Sequence, residues 1–140
     1  ANENKNWMLK TEYFDAFPEF EIQMLNRGWH LAYVANVTRW CLDEDLDRKA
    51  SFAEYLAKEY GLYKKCLPVG MSCGGLMAIK FAAKYPELVS CLYLDAPVLN
   101  ILSLAGENNI HRNSLFKHLT IPLAQTTIEN FDLAIRDLRT

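Results

Sequence analysis

At 140 residues the chain has the length of one domain, and a composition 51% apolar and 23% charged excludes a disordered chain. A net charge of −2 and a sequence pI of about 5.9 leave no basic footprint for nucleic acid or an anionic membrane. No apolar run reaches the roughly 18 residues of a membrane span. The polar start, Ala1 to Asn6, is no signal peptide and has no initiator Met, so the chain reads as an internal piece of something longer, a partial domain.

Residues 11–27 predict a helix. Thr11 caps it, Gly28 follows as the residue past its end, and Pro18 kinks or divides it. Trp29 to Asn36 is apolar and β-prone, as in a strand buried on both faces. Cys41 to Asp47 reads as an acidic loop, with Asp43, Glu44, Asp45 and Asp47 as solvated turn and helix-start charge. Residues 48–60 return to helical period, with Ala50, Ala53, Leu56, Ala57 and Tyr60 on one stripe and Gly61 as the stop. Cys66 to Gly70 predicts a short apolar strand, in which Pro68 implies a local bulge. Gly74 to Tyr85 predicts a helix stopped by Pro86, and Ser90 to Asp95 a third buried strand.

Helix–strand alternation implies a parallel sheet with right-handed crossovers, hence an α/β layer with ligands at the carboxyl ends of the strands. Gly70 to Ser72, Asp95 and the Asn36–Arg39 turn fall at those ends. Residues 96–125 have no clear period, and Thr126 to Glu129 resembles a capping box before the stripe Ile128, Phe131, Ile135 and Leu138. The segment 96–140 therefore reads as lid-like or peripheral and helical. Lys64-Lys65 and the charges from Arg136 to Arg139 read as solvated surface.

The four cysteines are widely spaced and form no Cys-x-x-Cys, and the three histidines show no metal spacing with them. A disulfide framework and a zinc site are both disfavoured, and unpaired thiols point to a reducing, cytoplasmic compartment.

Gly70-Met71-Ser72-Cys73-Gly74-Gly75 lies between a predicted strand and a predicted helix, the context of a Gly-x-Ser-x-Gly nucleophile elbow. Small neighbours at Gly70 and Gly74 permit the sharp turn. Ser72 then sits at a helix N-terminus, where developing negative charge is favoured, with the Cys73 backbone N–H as one oxyanion donor. A P-loop would need Lys then Ser or Thr where Leu76-Met77 stand, and a dinucleotide fingerprint would need Gly at Ser72. An incidental serine in a glycine-rich turn is the remaining alternative.

The run Leu67 to Leu76, then Ala82-Ala83-Lys84-Tyr85-Pro86-Glu87-Leu88-Val89, resembles the α/β-hydrolase superfamily around its nucleophile. Leu92 to Pro97 resembles that fold's next strand, and Lys10 to Asp15 with Arg27-Gly28-Trp29 the helix and strand before it. The resemblance spans about residues 10–100. It implies a three-layer α/β/α fold with a mostly parallel sheet, here incomplete, since that sheet has strands before the first predicted helix and after Asp95. An oxyanion loop of His-Gly-Gly type would precede that helix, and no such motif stands there. It also implies a serine-dependent hydrolase of ester or related acyl bonds, with no cofactor and no metal. In the family's chain order of serine, acid, histidine, the candidates are Ser72, Asp95 and His118, with Glu107 and His111 as neighbours in that order. His30 reads as structural. The partner implied is a small-molecule acyl substrate. The alternatives are an acyltransferase on the same scaffold and a non-catalytic or truncated module that self-associates through exposed sheet edges.

Overall fold

A computed structural model describes residues 4–99. His111, His118, Glu107 and the predicted features beyond residue 99 lie outside the described residues.

The chain runs β1 (Trp7–Lys10), α1 (Glu19–Asn26), β2 (His30–Tyr33), α2 (Asp43–Tyr60), β3 (Leu67–Met71), α3 (Cys73–Lys84), a 3-10 turn (Pro86–Leu88) and β4 (Tyr93–Asp95). The strands form one parallel sheet in the order β2-β1-β3-β4. The α/β class and the parallel sheet are thus as expected from the alternation of elements.

Strand β1 is a correction to the sequence reading, which began with a helix. Trp7, Met8 and Leu9 are wholly buried at the centre of the sheet. Their side chains alternate as the strand pleat demands. Trp7 and Leu9 join Trp40, Leu46, Leu56, Met77 and Phe81 in one cluster. Met8 joins Leu67 and Val69 in a second, covered by Phe20 and Met24 of α1 and by Trp29 and Leu31. Lys10 ends the strand in a fully buried ion pair with Glu21 of α1. A buried charge must be paired, so this contact fixes where α1 docks.

The predicted helix over 11–27 shrinks to Glu19–Asn26, with Pro18 at its N-cap. Proline is tolerated only at such an end, because it lacks the N–H and fixes its own φ. Residues 11–18 are instead an irregular turn, in which Tyr13 and Phe17 take positive φ of 55° and 47°. Thr11 is therefore no cap. Gly28 and Gly61 do end their helices with positive φ, 86° and 67°.

Three further expectations change. Strand β2 is an edge strand, half-buried throughout and paired only with β1 among the described residues. Strand β4 leaves Tyr93 and Asp95 exposed instead of burying them. The acidic stretch is the first turn of α2, where Asp43, Glu44 and Asp45 complement the helix dipole, and Asp45 is wholly buried, not solvated.

Pro68 causes no bulge: it pairs in unbroken register opposite Leu9. The carbonyl of Val69 accepts the Thr11 N–H from the β1 side. By alternation the Pro68 nitrogen faces the other way, where β4 pairing begins only at Val69–Tyr93. No donor is missed there.

From β1 the chain moves to β2 on one side and then returns to β3 on the other. That reversal opens a crevice at the carboxyl ends of β1 and β3, the place where open α/β sheets bind ligands.

Candidate active site

The crevice is built from two strand-to-helix connections. After β3 the connection is a single residue. Ser72 takes φ 53° and ψ −122°, and α3 begins at Cys73. These angles lie outside the regions open to ordinary L-residues, a strain of about 1–3 kcal/mol. The surroundings over-determine it. The Ser72 N–H donates to the Asp95 carbonyl at 3.1 Å, and the Ser72 carbonyl accepts from Gly75 at 3.0 Å and Val98 at 2.9 Å.

The glycines are steric requirements. A Cβ on Gly70 would stand 2.5 Å from the Gly74 carbonyl oxygen and 2.6 Å from the Gly75 Cα. A Cβ on Gly75 would stand 2.4 Å from the Pro97 Cβ. Gly74 is tight but less so, 3.0 Å from the Thr11 hydroxyl oxygen and 3.1 Å from the Glu12 Cβ. The small neighbours that matter most are thus Gly70 and Gly75. Cys73 lies at the first position of α3, with its side chain buried.

The second connection, residues 11–18, lies against the first. The Thr11 hydroxyl donates to the Gly74 carbonyl at 2.6 Å and stands 3.2 Å from that of Val69. Tyr13 packs on the apolar cluster, and its phenol stands beside the Cys73 side chain. Burial, then Cys73, push the Tyr13 phenol above its usual range, although the Arg39 guanidinium 5.5 Å over its ring acts oppositely. Behind this turn lies a half-buried polar cluster around the buried Asp45 and Lys49. Asn36 donates to the Thr11 carbonyl at 2.7 Å and to the Glu12 carboxylate at 3.2 Å, and accepts from Lys49. Asp45 accepts the N–H groups of Val37 and Thr38 at 2.8 and 3.2 Å and pairs with Arg48 at 3.2 Å. Burial pushes the Lys49 ammonium down to about 8, with Asp45 and Glu12 pulling the other way.

The predicted residues divide accordingly. Ser72, Cys73 and the main chain of Asp95 come together. The Asp95 side chain is exposed and opens on a hollow of about 240 Å³ lined also by Lys10, Glu21, Phe20 and Tyr93. His30 begins β2, at the opposite end of the sheet, with a ring nitrogen 2.8 Å from the Asn4 carbonyl oxygen. Among the described residues no three His, Cys, Asp or Glu side chains are grouped to hold a metal ion, and no helix is long and apolar enough to cross a membrane. Sequence reasoning missed Thr11 as an elbow contact, and it missed Glu12, Tyr13 and Lys49; Asn36 it placed at the strand ends without a partner. The legible signals were the Asp45–Lys49 spacing of four on one helix face and the position of Asn36 just past a strand.

In comparisons with known proteins the chain matches no family profile and no curated protein sequence.

Proposed function

We propose that the chain carries the site of a serine-dependent hydrolase of ester or related acyl bonds, on a three-layer α/β-hydrolase-type scaffold. One observation carries this reading: Ser72 occupies a strained backbone conformation at a one-residue strand-to-helix turn. Such strain persists where surrounding structure enforces it, and it clusters at functional sites. A glycine in that place would satisfy the turn without strain, so the serine side chain is what the strain retains.

In this reading the Ser72 hydroxyl oxygen attacks the substrate carbonyl carbon and its proton passes to a histidine. The tetrahedral oxyanion is held by the Cys73 N–H, aided by the N-terminus of α3. The second donor comes from the turn after β1, where the Glu12 nitrogen would lie 3.3 Å from a Cβ on Gly74. The alcohol departs with the proton, and water then hydrolyses the acyl-enzyme. With His30 at the far end of the sheet, the base is His118, His111 or a histidine outside this chain, and Asp95 at the β4 end is the acid candidate.

The experiment is steady-state and burst kinetics on aryl esters of graded acyl length. The expected result is an acyl-enzyme burst abolished in Ser72→Ala. Equal turnover by both proteins overturns the reading.

A further inference from the structure

Lys49 is wholly buried in α2, yet its ammonium reaches out of the apolar core to the Asn36 side-chain oxygen. That contact fixes the orientation of the Asn36 amide. Both of its N–H groups then face the crevice, one on the Thr11 carbonyl at 2.7 Å and one on the Glu12 carboxylate at 3.2 Å. The other oxygen of Glu12 accepts the Tyr13 N–H at 3.1 Å. Two of these residues reach the elbow: the Thr11 hydroxyl donates to the Gly74 carbonyl, and the Tyr13 phenol stands beside the Cys73 side chain. A turn of irregular backbone, with Tyr13 at positive φ, is thus tied on both sides.

We propose that Lys49 is a positioning residue for the elbow: through Asn36 it holds the Thr11–Tyr13 turn against Cys73 and Gly74. Its effect on reactivity rests on the reading of Ser72 as a nucleophile; its effect on the turn does not. The charged groups around Lys49 are Asp45 and Arg48 on its own helix and Glu12 on the turn, with the Cys41 thiol beside them and the Tyr33 phenol near Glu12. Lys49 titrates near pH 8. Above that pH it loses the charge that faces Glu12 and Asp45, the Asn36 contact loses its charge assistance, and the turn loosens.

The test uses the whole chain, with Lys49→Met and Asn36→Ala. Asn36→Ala leaves the helix core intact and serves if Lys49→Met does not fold. Two readouts are taken between pH 6.5 and 9.5: the rate of Ser72 labelling by a fluorophosphonate, and hydrogen exchange at the amides of residues 11–13 against those of β1 and α3. The expected result is labelling that slows across pH 8 in the wild type. It is about tenfold slower in either variant at pH 7, and the pH step vanishes in Lys49→Met. Exchange rises at residues 11–13 alone. The double variant is no worse than either single one, because both cut one path. Unchanged exchange at the turn in both variants overturns the proposal. So does loosening of the turn with labelling rates unaltered. If the wild type is not labelled at Ser72, the nucleophile reading fails and the exchange result alone decides the role of Lys49.

Discussion

The two connections that form the crevice solve the same problem in opposite ways. The β3–α3 turn spends one residue, takes an unfavourable backbone conformation and relies on glycines to let main chains approach. The β1–α1 turn spends eight residues, 11–18, contains no glycine and is held by the side chain of Asn36, itself held by Lys49. Steric necessity writes itself into local sequence, whereas a turn held by distant side chains leaves almost no local mark.

The difference can be broken first at Gly70. Gly70→Ala sets a Cβ against main-chain atoms that have no room to yield, so it costs about 3 kcal/mol or more in urea denaturation. A loss near 1 kcal/mol would mean that the elbow is softer than its contacts imply.

A second effect is pH-dependent and belongs to the burial of the Lys49 ammonium, which the neutral amine relieves even as the turn it holds loosens. Lys49 binds its proton less tightly folded, about 8, than unfolded, about 10.4. Between those values the unfolded chain holds more protons, so this group makes stability rise with pH, on the order of 3 kcal/mol. Cys41 and Cys66, both pushed up to about 12 by burial, act in the opposite sense above about pH 9. The difference between wild type and Lys49→Met, followed by thermal melts from pH 7 to 10, isolates the Lys49 contribution. A constant difference contradicts it.

Thr11→Val sharpens the link between the two turns. It keeps the shape and removes the donor to the Gly74 carbonyl, for a loss of about 1–2 kcal/mol. The smallest effect is at Ser72 and has the opposite sign. Ser72→Gly relieves the positive φ, so the variant melts higher, by about 1 kcal/mol, while losing the hydroxyl proposed to react. A destabilised Ser72→Gly would show that the serine side chain supports the fold instead of costing it.

The same contrast explains what the sequence made legible. The elbow was readable because Gly70 and Gly74 frame Ser72 between apolar runs; that Gly75 is the tighter requirement shows only in the packing of Pro97 against it. The stops at Gly28 and Gly61 were readable for the same backbone reason. Strand β1 was not, since four residues after a polar start carry no period, and burial at the centre of a sheet comes from neighbours distant in sequence. Edge and central strands look alike when both are apolar, which is why β2 and β4 were expected to be more buried than they are. Asp45 sits in an acidic run that reads as solvated, and only the folded chain turns its carboxylate onto the Val37 and Thr38 amides.

The central claim is that the strained residue is a nucleophile. It is tested most directly by incubating the intact chain with a fluorophosphonate and locating the adduct by peptide mass spectrometry. The account predicts one adduct, on Ser72, absent from Ser72→Ala and from denatured protein. No adduct on the folded wild type, or one carried elsewhere and unaffected by Ser72→Ala, would contradict it.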